Sequence, residues 1–377
     1  MSTNNKTVQI IVNSFISTTG LGFPAVLPML VGAIVDTLGY DRAMVGWIAS
    51  SNIFGIALGG LIATLLIGKK PLIRIVQVGL IGLLLLDGLS MLVTQPTTML
   101  GIRFISGVFG GLAYAGGLAA FSGLKNPIKA YGIYVVVYCI WSGIILVTLP
   151  YLVQQFGLQG GFSILVFMAI VSLLGSGVIP KLSGNIKEKE IPNLKTLLSQ
   201  KEVLLALLAY FALQVGGGTI WAYVERIAKE ANLDGGLTGQ LMGLSSVLAI
   251  MGGLLVFKIG DSRGLKLPVL VGVGGMAMGA ILLFQSAQPF IFLAAISLFG
   301  GAWSIAIPYF QQIQAAFDHT GKVVSLGTIV NTMGRGTGPA VAALVLGDHS
   351  FTMVIWLALG AFVISLLLVF PLLLKKG

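Results

Sequence analysis

The sequence has 377 residues, of which 56% are hydrophobic and only 9% are charged. Soluble domains carry about 25% charged residues, so a soluble fold of this length could not cover its surface. The net charge of +10 alone would suit a nucleic-acid-binding protein, but the Lys and Arg residues lie in short stretches between long apolar runs. The composition therefore excludes nucleic acid as a partner and indicates a protein embedded in a lipid bilayer.

Twelve apolar runs are long enough to cross a bilayer, which takes about 20 residues of helix. Turn signals such as Gln95-Pro96 and Gln288-Pro289 separate neighbouring runs. The chain is therefore predicted to be an all-α membrane protein with spans at 8–35, 43–67, 72–94, 98–123, 128–153, 160–180, 203–224, 237–258, 266–286, 288–313, 323–347 and 350–373.

The basic residues predict the orientation of these spans. With the N-terminus inside the cell, most of the 22 Lys and Arg residues fall on the inner side, and only Arg42, Arg226 and Lys229 fall on the outer side. Cytoplasmic loops of membrane proteins carry this excess of positive charge. We therefore expect both termini in the cytoplasm and an even number of spans.

The two halves of the chain repeat. At one constant offset, Gly46 matches Gly239, Gly59-Gly60-Leu61 matches Gly252-Gly253-Leu254, and Gln95-Pro96 matches Gln288-Pro289. The longest hydrophilic stretch, 181–201, lies between the halves. We predict an N-terminal six-helix bundle at 1–180, a cytoplasmic linker at 181–201 and a C-terminal six-helix bundle at 202–377. Parallel repeats of this kind place a substrate site between them near the midplane, opened alternately to either side.

Two motifs carry a family resemblance. After span eight, Gly260-Asp261-Ser262-Arg263-Gly264-Leu265-Lys266 is similar to the cytoplasmic loop of the major facilitator superfamily, although Ser262 stands where an Arg is usual. In span four, the run from Arg103 to Gly107 resembles the Arg-x-x-x-Gly pattern of proton-linked members. Span five lacks the Gly-Pro-x-x-Gly-Gly signature of drug/proton antiporters, and the end of span seven resembles poorly characterised bacterial members.

The resemblance implies a secondary active transporter with two pseudo-symmetric six-helix bundles in a bacterial inner membrane. It implies alternating access for a small-molecule substrate, and the span-four motif favours efflux over uptake. We expect protons as the coupling ion, because no nucleotide site stands out and Asp87 is the acid within the membrane, and we expect the monomer to be functional. The resemblance assigns Asp261, Arg263 and Gly264 to conformational gating. It also implies that spans one, four, seven and ten line the substrate cavity, which favours Asn13, Gln214 and Trp303 as lining residues. Each of these three could instead make a helix–helix hydrogen bond.

Ionisable groups within membrane spans are costly and are functional candidates by default. Arg335 lies at the middle of predicted span eleven, where an Arg costs about 2.5–3.5 kcal/mol. Its guanidinium matches carboxylate or phosphate geometry, and Asn331 lies one turn earlier on the same face. We predict that both contact an anionic substrate. The alternative is a structural Arg that bonds to broken backbone among the neighbouring residues Gly334, Gly336, Gly338 and Pro339.

Asp87 and Arg103 lie at similar depths on consecutive antiparallel spans, so an ion pair between them is plausible. The pair could act as a proton relay, with Asp87 releasing Arg103 when it is protonated, or as a static link between two helices.

Four aromatic residues at helical spacing share one face of span five: Tyr131, Tyr134, Tyr138 and Trp141. Span five is the repeat counterpart of span eleven. Tyr134 and Tyr138 opposite Arg335 would suit an organic anion with an apolar body, whereas the alternative is that they pack against helices or lipid.

No pattern indicates an enzyme. The two His residues lie near span ends, and neither a metal-ligand cluster, a phosphate-binding loop nor a nucleophile–base set stands out. We expect neither catalytic residues nor cofactors. Three rival functions remain: a lipid or lysolipid flippase on the same fold, an intramembrane enzyme, and a non-transporting receptor.

Overall fold

The computed structural model describes residues 3–121, 127–179, 199–259, 264–317, 322–346 and 350–375. These ranges contain thirteen α-helices and two short 3-10 turns at Ser176–Val178 and Leu283–Gln285. The helices are α1 Thr3–Gly20, α2 Gly22–Ala25, α3 Leu27–Leu38, α4 Arg42–Leu66, α5 Leu72–Ser90, α6 Pro96–Ala119, α7 Pro127–Gly175, α8 Lys201–Glu230, α9 Gly235–Ile259, α10 Lys266–Leu282, α11 Pro289–Ala315, α12 Lys322–Leu346 and α13 Thr352–Lys375.

Within the described ranges, nine helical stretches are long and apolar enough to cross a membrane. One of them, α7, corresponds to predicted spans five and six together. Its backbone leaves the helical conformation at Gly157, with φ 59° and ψ −145°, and this residue divides the two spans. Predicted span eleven corresponds to α12, which is less apolar because it carries Asn331 and Arg335.

Predicted span one is broken into α1, α2 and α3. Pro24 and Pro28 lack the N–H groups that would bond to the carbonyls four residues earlier, so the helix is interrupted between Gly20 and Leu27. When α7 is counted as two spans, α12 as span eleven and α1 to α3 together as span one, the helices account for the twelve predicted spans. The all-α fold class is confirmed.

The chain divides into two compact units, Met1–Lys187 and Glu188–Gly377. The first contains α1 to α7, and the second contains α8 to α13. The predicted linker lies outside the described residues except for 199–201, so its role and the predicted bundle boundaries remain predictions.

The sequence repeat recurs as a packing repeat within each unit. In the first unit, a Cβ on Gly59 of α4 would overlap the main-chain oxygen of Val108 on α6. In the second unit, a Cβ on Gly252 of α9 would overlap the main-chain oxygen of Gly301 on α11. The contacted residues stand at the same sequence offset as the glycines, so each unit uses the same helix crossing.

A second pair of contacts follows the same offset. A Cβ on Gly79 of α5 would come within 2.7 Å of the Ala113 nitrogen, and one on Gly272 of α10 within 3.0 Å of the Ala306 nitrogen. Small residues allow such close approach between helices in lipid, where packing replaces the hydrophobic effect as the driving force. The two six-helix bundles are therefore pseudo-symmetric in their packing as well as in sequence.

Gly107 provides a test of this close packing. A Cβ there would overlap the Asn52 oxygen on α4, which is backbone and cannot rotate away. We expect Gly107→Ala to separate α4 from α6 and to lower stability by about 1–3 kcal/mol, measured as thermal unfolding of the detergent-purified protein.

The matched control is Gly101→Ala on the same helix, where a Cβ would meet nothing within 4 Å. Because Ala favours helix over Gly, this variant should be at least as stable as the wild type. Equal melting temperatures for the two variants would contradict the packing argument.

Candidate functional site

A buried ion pair joins α5 to α6. Nη2 of Arg103 donates to Oδ1 of Asp87 at 2.7 Å, and also contacts Ser90 Oγ at 2.7 Å and the Leu86 carbonyl oxygen at 3.2 Å. The hydroxyl of Ser106 donates to the same Asp87 oxygen at 3.1 Å. Arg103 is 0% exposed and Asp87 is 4% exposed, so the structure brings together the two ionisable residues that the sequence placed at one depth.

Arg103 also contacts three further helices. Its guanidinium carbon lies 5.2 Å from the ring centroid of Phe23 on α2 and 5.0 Å from that of Phe162 on α7, which is the range of a cation–π contact. Asn52 on α4 donates to the main-chain oxygen of Arg103 at 2.9 Å. Sequence reasoning missed both rings, because neither lies near Arg103 along the chain and apolar spans contain many Phe residues.

A second polar cluster lies in the other unit and joins α8, α11 and α12. Gln214 donates from Nε2 to Oδ1 of Asn331 and accepts through Oε1 from Trp303 Nε1 at 3.1 Å. The guanidinium carbon of Arg335 lies 5.6 Å from the Trp303 ring centroid. Four predicted substrate residues from three helices are therefore in contact. Gln214 is fully buried, whereas the other three are half-buried.

Glycines allow α8 and α12 to approach closely at this cluster. A Cβ on Gly334 would come within 2.8 Å of Gln214 Cβ, and one on Gly338 within 2.5 Å of the Thr219 nitrogen. The α12 helix runs from Lys322 to Leu346 with Pro339 inside it. Gly334 and Gly338 therefore serve helix packing. Because Pro339 lacks an N–H, the main-chain oxygen of Arg335 has no partner four residues later in the helix, and the structural alternative for Arg335 stays open.

The two intramembrane arginines differ in their partners. Arg103 pairs with Asp87, whereas no acidic side chain within the described ranges pairs with Arg335, whose contact is the Trp303 ring. Arg335 is half-buried, whereas Arg103 is fully buried. A cation in this position can accept an anionic group without displacing a protein carboxylate.

The predicted tyrosine face exists within the first unit. The ring centroids of Tyr134 and Tyr138 are 6.2 Å apart, and Tyr134 lies 6.3 Å from Tyr114 on α6. Trp141 packs at 4.9 Å against Phe15 on α1. Part of this face therefore packs against neighbouring helices, and its position opposite Arg335 remains a prediction.

Asn13 is buried at 2% exposure and bonds within its own helix. Its Nδ2 donates to the Gln9 carbonyl oxygen at 2.8 Å, and its main-chain oxygen accepts from Ser17 Oγ at 2.9 Å. Its Oδ1 has no hydrogen-bond partner among the described residues. Its predicted contact with substrate remains untested.

The predicted gating loop is only partly visible. Asp261 and Arg263 lie outside the described residues. Gly264 is exposed and has φ 64°, a left-handed conformation that favours glycine, while a Cβ there would meet nothing within 4 Å. The backbone turn before α10, rather than packing, therefore explains this glycine.

One ion pair was missed by sequence reasoning. Arg226 donates to Glu225 through Nε at 2.5 Å and through Nη2 at 2.7 Å, and the two residues are 5% and 6% exposed. The sequence placed Arg226 on the outer side, after a span ending at residue 224. The α8 helix instead continues to Glu230, so these charges lie buried on a helix rather than in an exposed loop.

Residues 10–339 match the family model described as Major Facilitator Superfamily, and the chain belongs to this superfamily. It is therefore a multi-pass membrane protein of a transporter family. No curated protein matches the sequence.

Solved transporter structures share this fold. A crystal structure of a variant of the nucleoside transporter NupG is 14% identical, covers 98% of this chain and 99% of its own, and superposes with a TM-score of 0.79. The D-xylose-proton symporter is 13% identical over 98% and 97% of the two chains, with a TM-score of 0.78. An inward-open structure of the xylose transporter XylE from E. coli is 12% identical over 95% of both, with a TM-score of 0.73. At these identities the likeness shows the fold alone.

Substitution of the Asp87–Arg103 pair tests its contribution to stability. Asp87→Leu should leave a buried guanidinium without its counter-charge and cost about 3–5 kcal/mol. The double variant Asp87→Leu/Arg103→Met should recover most of that loss, because both charges are gone. Thermal unfolding of the four proteins in a double-mutant cycle measures the coupling. A double variant as unstable as Asp87→Leu would contradict the ion-pair interpretation.

Proposed function

We propose that the chain is a secondary active transporter that moves a small organic anion across a bacterial inner membrane by alternating access. The observation that carries this proposal is Arg335, a half-buried intramembrane cation without an acidic partner among the described residues. Both termini lie in the cytoplasm, protons are the coupling ion, efflux is the favoured direction and the monomer is the functional unit.

The contrast between the two arginines supports an anionic substrate. An uncompensated Arg within a span is costly, and in membrane proteins such residues mark substrate or ion pathways. Arg103 has its counter-charge within the protein, whereas the counter-charge of Arg335 comes from the substrate. A planar guanidinium binds carboxylate or phosphate through two parallel hydrogen bonds.

The surroundings of Arg335 suit an apolar body on that anion. The Trp303 ring lies beside the guanidinium and offers an aromatic surface. Gln214 and Asn331 belong to the same cluster and to the proposed substrate-binding set, of which Asn13, Tyr134 and Tyr138 in the other unit remain predicted members. An amphipathic organic anion satisfies both the charge and the aromatic side chains.

Asp87 is the proposed proton carrier. When Asp87 is neutralised, Arg103 keeps Ser90 Oγ, the Leu86 carbonyl and the two Phe rings as partners. The guanidinium of Arg103 therefore keeps its other partners while the Asp87 carboxyl group gains and loses a proton. The alternative is a static pair that only holds α5 against α6. We further propose that Asp261 and Arg263, beside the turn at Gly264, form a cytoplasmic latch during the transport cycle.

A lipid or lysolipid flippase is the second candidate function. A cavity of about 370 Å³ lies between α1 and α7, lined largely by apolar side chains that include Phe15, Ile140 and Trp141. A cavity of this size and chemistry could take part of an acyl chain. This candidate does not require Arg335.

Arg335→Gln tests the anion proposal. The variant should insert and purify normally yet move organic anions at least tenfold more slowly, because the attraction for the anionic group is lost. Proteoliposomes are loaded with a defined mixture of aromatic carboxylates, amines, neutral sugars and lysolipids, and mass spectrometry measures which compounds cross the membrane. Arg335→Lys keeps the charge and should retain part of the rate. Unchanged carboxylate transport by Arg335→Gln would refute the proposal, and movement of lysolipids alone would favour the flippase.

Asp87→Asn tests the coupling proposal. The amide cannot carry a proton, so accumulation driven by an imposed pH gradient should disappear, while exchange of labelled carboxylate across the vesicle membrane should persist. Ser90→Ala serves as the matched control, since it removes a neighbour of Arg103 without removing a titratable group. Gradient-driven accumulation that survives in Asp87→Asn would leave the pair with only a structural role.

A further inference from the structure

The hydrogen bonds that join Trp303, Gln214 and Asn331 run in one direction, which starts at the indole N–H of Trp303. An indole N–H can only donate, and it points to Oε1 of Gln214 at 3.1 Å. The oxygen and nitrogen of an amide side chain are normally assigned from their hydrogen-bond network. Here a partner that cannot accept determines that the Gln214 oxygen faces Trp303 and that its NH₂ group faces the other way.

The orientation of the Gln214 amide in turn determines the orientation of the Asn331 amide. Its partner atom on Gln214 is the donor Nε2, so Asn331 must turn its Oδ1 inward, because two NH₂ groups cannot bond to each other. The NH₂ group of Asn331 therefore points away from the fully buried Gln214. It makes no hydrogen bond to any residue that the structure describes, and Asn331 is only half-buried.

Arg335 lies one turn further along α12 on the same face, and a guanidinium also can only donate. The two acceptor oxygens of the cluster, Gln214 Oε1 and Asn331 Oδ1, are used in bonds inside the protein. What Asn331 and Arg335 offer to a ligand is therefore donors: the amide N–H groups of Asn331 and the guanidinium of Arg335.

We infer that Trp303 and Gln214 are positioning residues that set Asn331 as a donor, and that the site selects a carboxylate and rejects the amide of the same shape. The inference rests on the proposed function, because it names the chemistry of the group that Arg335 binds. A ligand that carries an NH₂ group in place of a carboxylate oxygen would direct N–H donors at the N–H donors of Asn331 and Arg335. Buried polar groups without a hydrogen-bond partner lower the affinity.

The probes are phenylacetate and phenylacetamide, which differ in the acceptor or donor character of one group. Binding to the purified full-length protein is measured by calorimetric titration. The wild type should bind phenylacetate at least tenfold more tightly than phenylacetamide. A wild-type protein without this preference, including one that binds neither probe, overturns the inference.

Two variants change the direction of the hydrogen bonds, and the acid-to-amide ratio is the readout because both probes share the phenyl ring that Trp303 would contact. Trp303→Phe removes the starting donor without a change of charge, so the Gln214 and Asn331 amides can flip, and the acid-to-amide preference should fall by about tenfold. Gln214→Glu still accepts from Trp303 but cannot donate to Asn331. Asn331 should then turn its NH₂ inward and its oxygen outward, which removes or reverses the preference. Because the new carboxylate also lowers the attraction of Arg335 for any anion, Trp303→Phe is the variant that isolates the hydrogen-bond direction. A wild-type preference in both variants overturns the inference.

Thr332→Ala is the matched control on α12, because the Thr332 hydroxyl bonds to the Thr328 carbonyl of its own helix. It should keep the wild-type ratio. Arg335→Gln separates the two levels of the proposal. If it abolishes phenylacetate binding while Trp303→Phe and Gln214→Glu keep the ratio, the anion site stands and the polarity inference fails. If Arg335→Gln binds phenylacetate as the wild type does, both fail.

Discussion

The hydrocarbon of a bilayer offers no hydrogen bonds, so each polar group that enters it must find a partner within the protein or in what the protein binds. This constraint accounts for the two intramembrane arginines in opposite ways. Arg103 is enclosed by a carboxylate, a hydroxyl, a main-chain carbonyl and two aromatic rings. Arg335 is half-buried and lies beside one ring. The first arrangement holds helices together, and the second is the basis of the proposed substrate site.

The same absence of water changes what packs helices together. Lipid tails are as apolar as Leu, so helices associate through close contact rather than through hydrophobic burial. Gly59 and Gly252 allow that contact at equivalent crossings of the two units. The helix caps repeat as well, since Asp41 accepts from the Met44 N–H and Asp234 from the Leu237 N–H. The repeat thus survives where geometry demands a small residue or a cap, while the polar clusters differ between the units.

How far the site could be predicted depended on sequence distance. Asp87 and Arg103 lie on consecutive antiparallel spans, so their depths could be compared directly. Gln214 and Trp303 are predicted as polar or aromatic residues on spans that the resemblance favours, and Asn331 because it lies one turn before Arg335 on the same helix face. Their contacts join α8 to α11 and α12, two helices that come much later in the chain. Periodicity within one helix cannot show which face of another helix it meets, and so the hydrogen-bonded chain among them was not predicted.

Hydropathy, charge bias and the internal repeat determined by themselves that this chain crosses a membrane twelve times in two related halves. They could do so because bilayer thickness and the lack of water act on each span separately, through its length and composition. Only the tertiary structure decided that Arg103 pairs with a carboxylate of the protein, that Arg335 has no such pair among the described residues, and that Trp303 donates to Gln214, which in turn donates to Asn331. Those properties depend on which side chains of different helices are in contact, and such contacts produce no periodic pattern in the sequence.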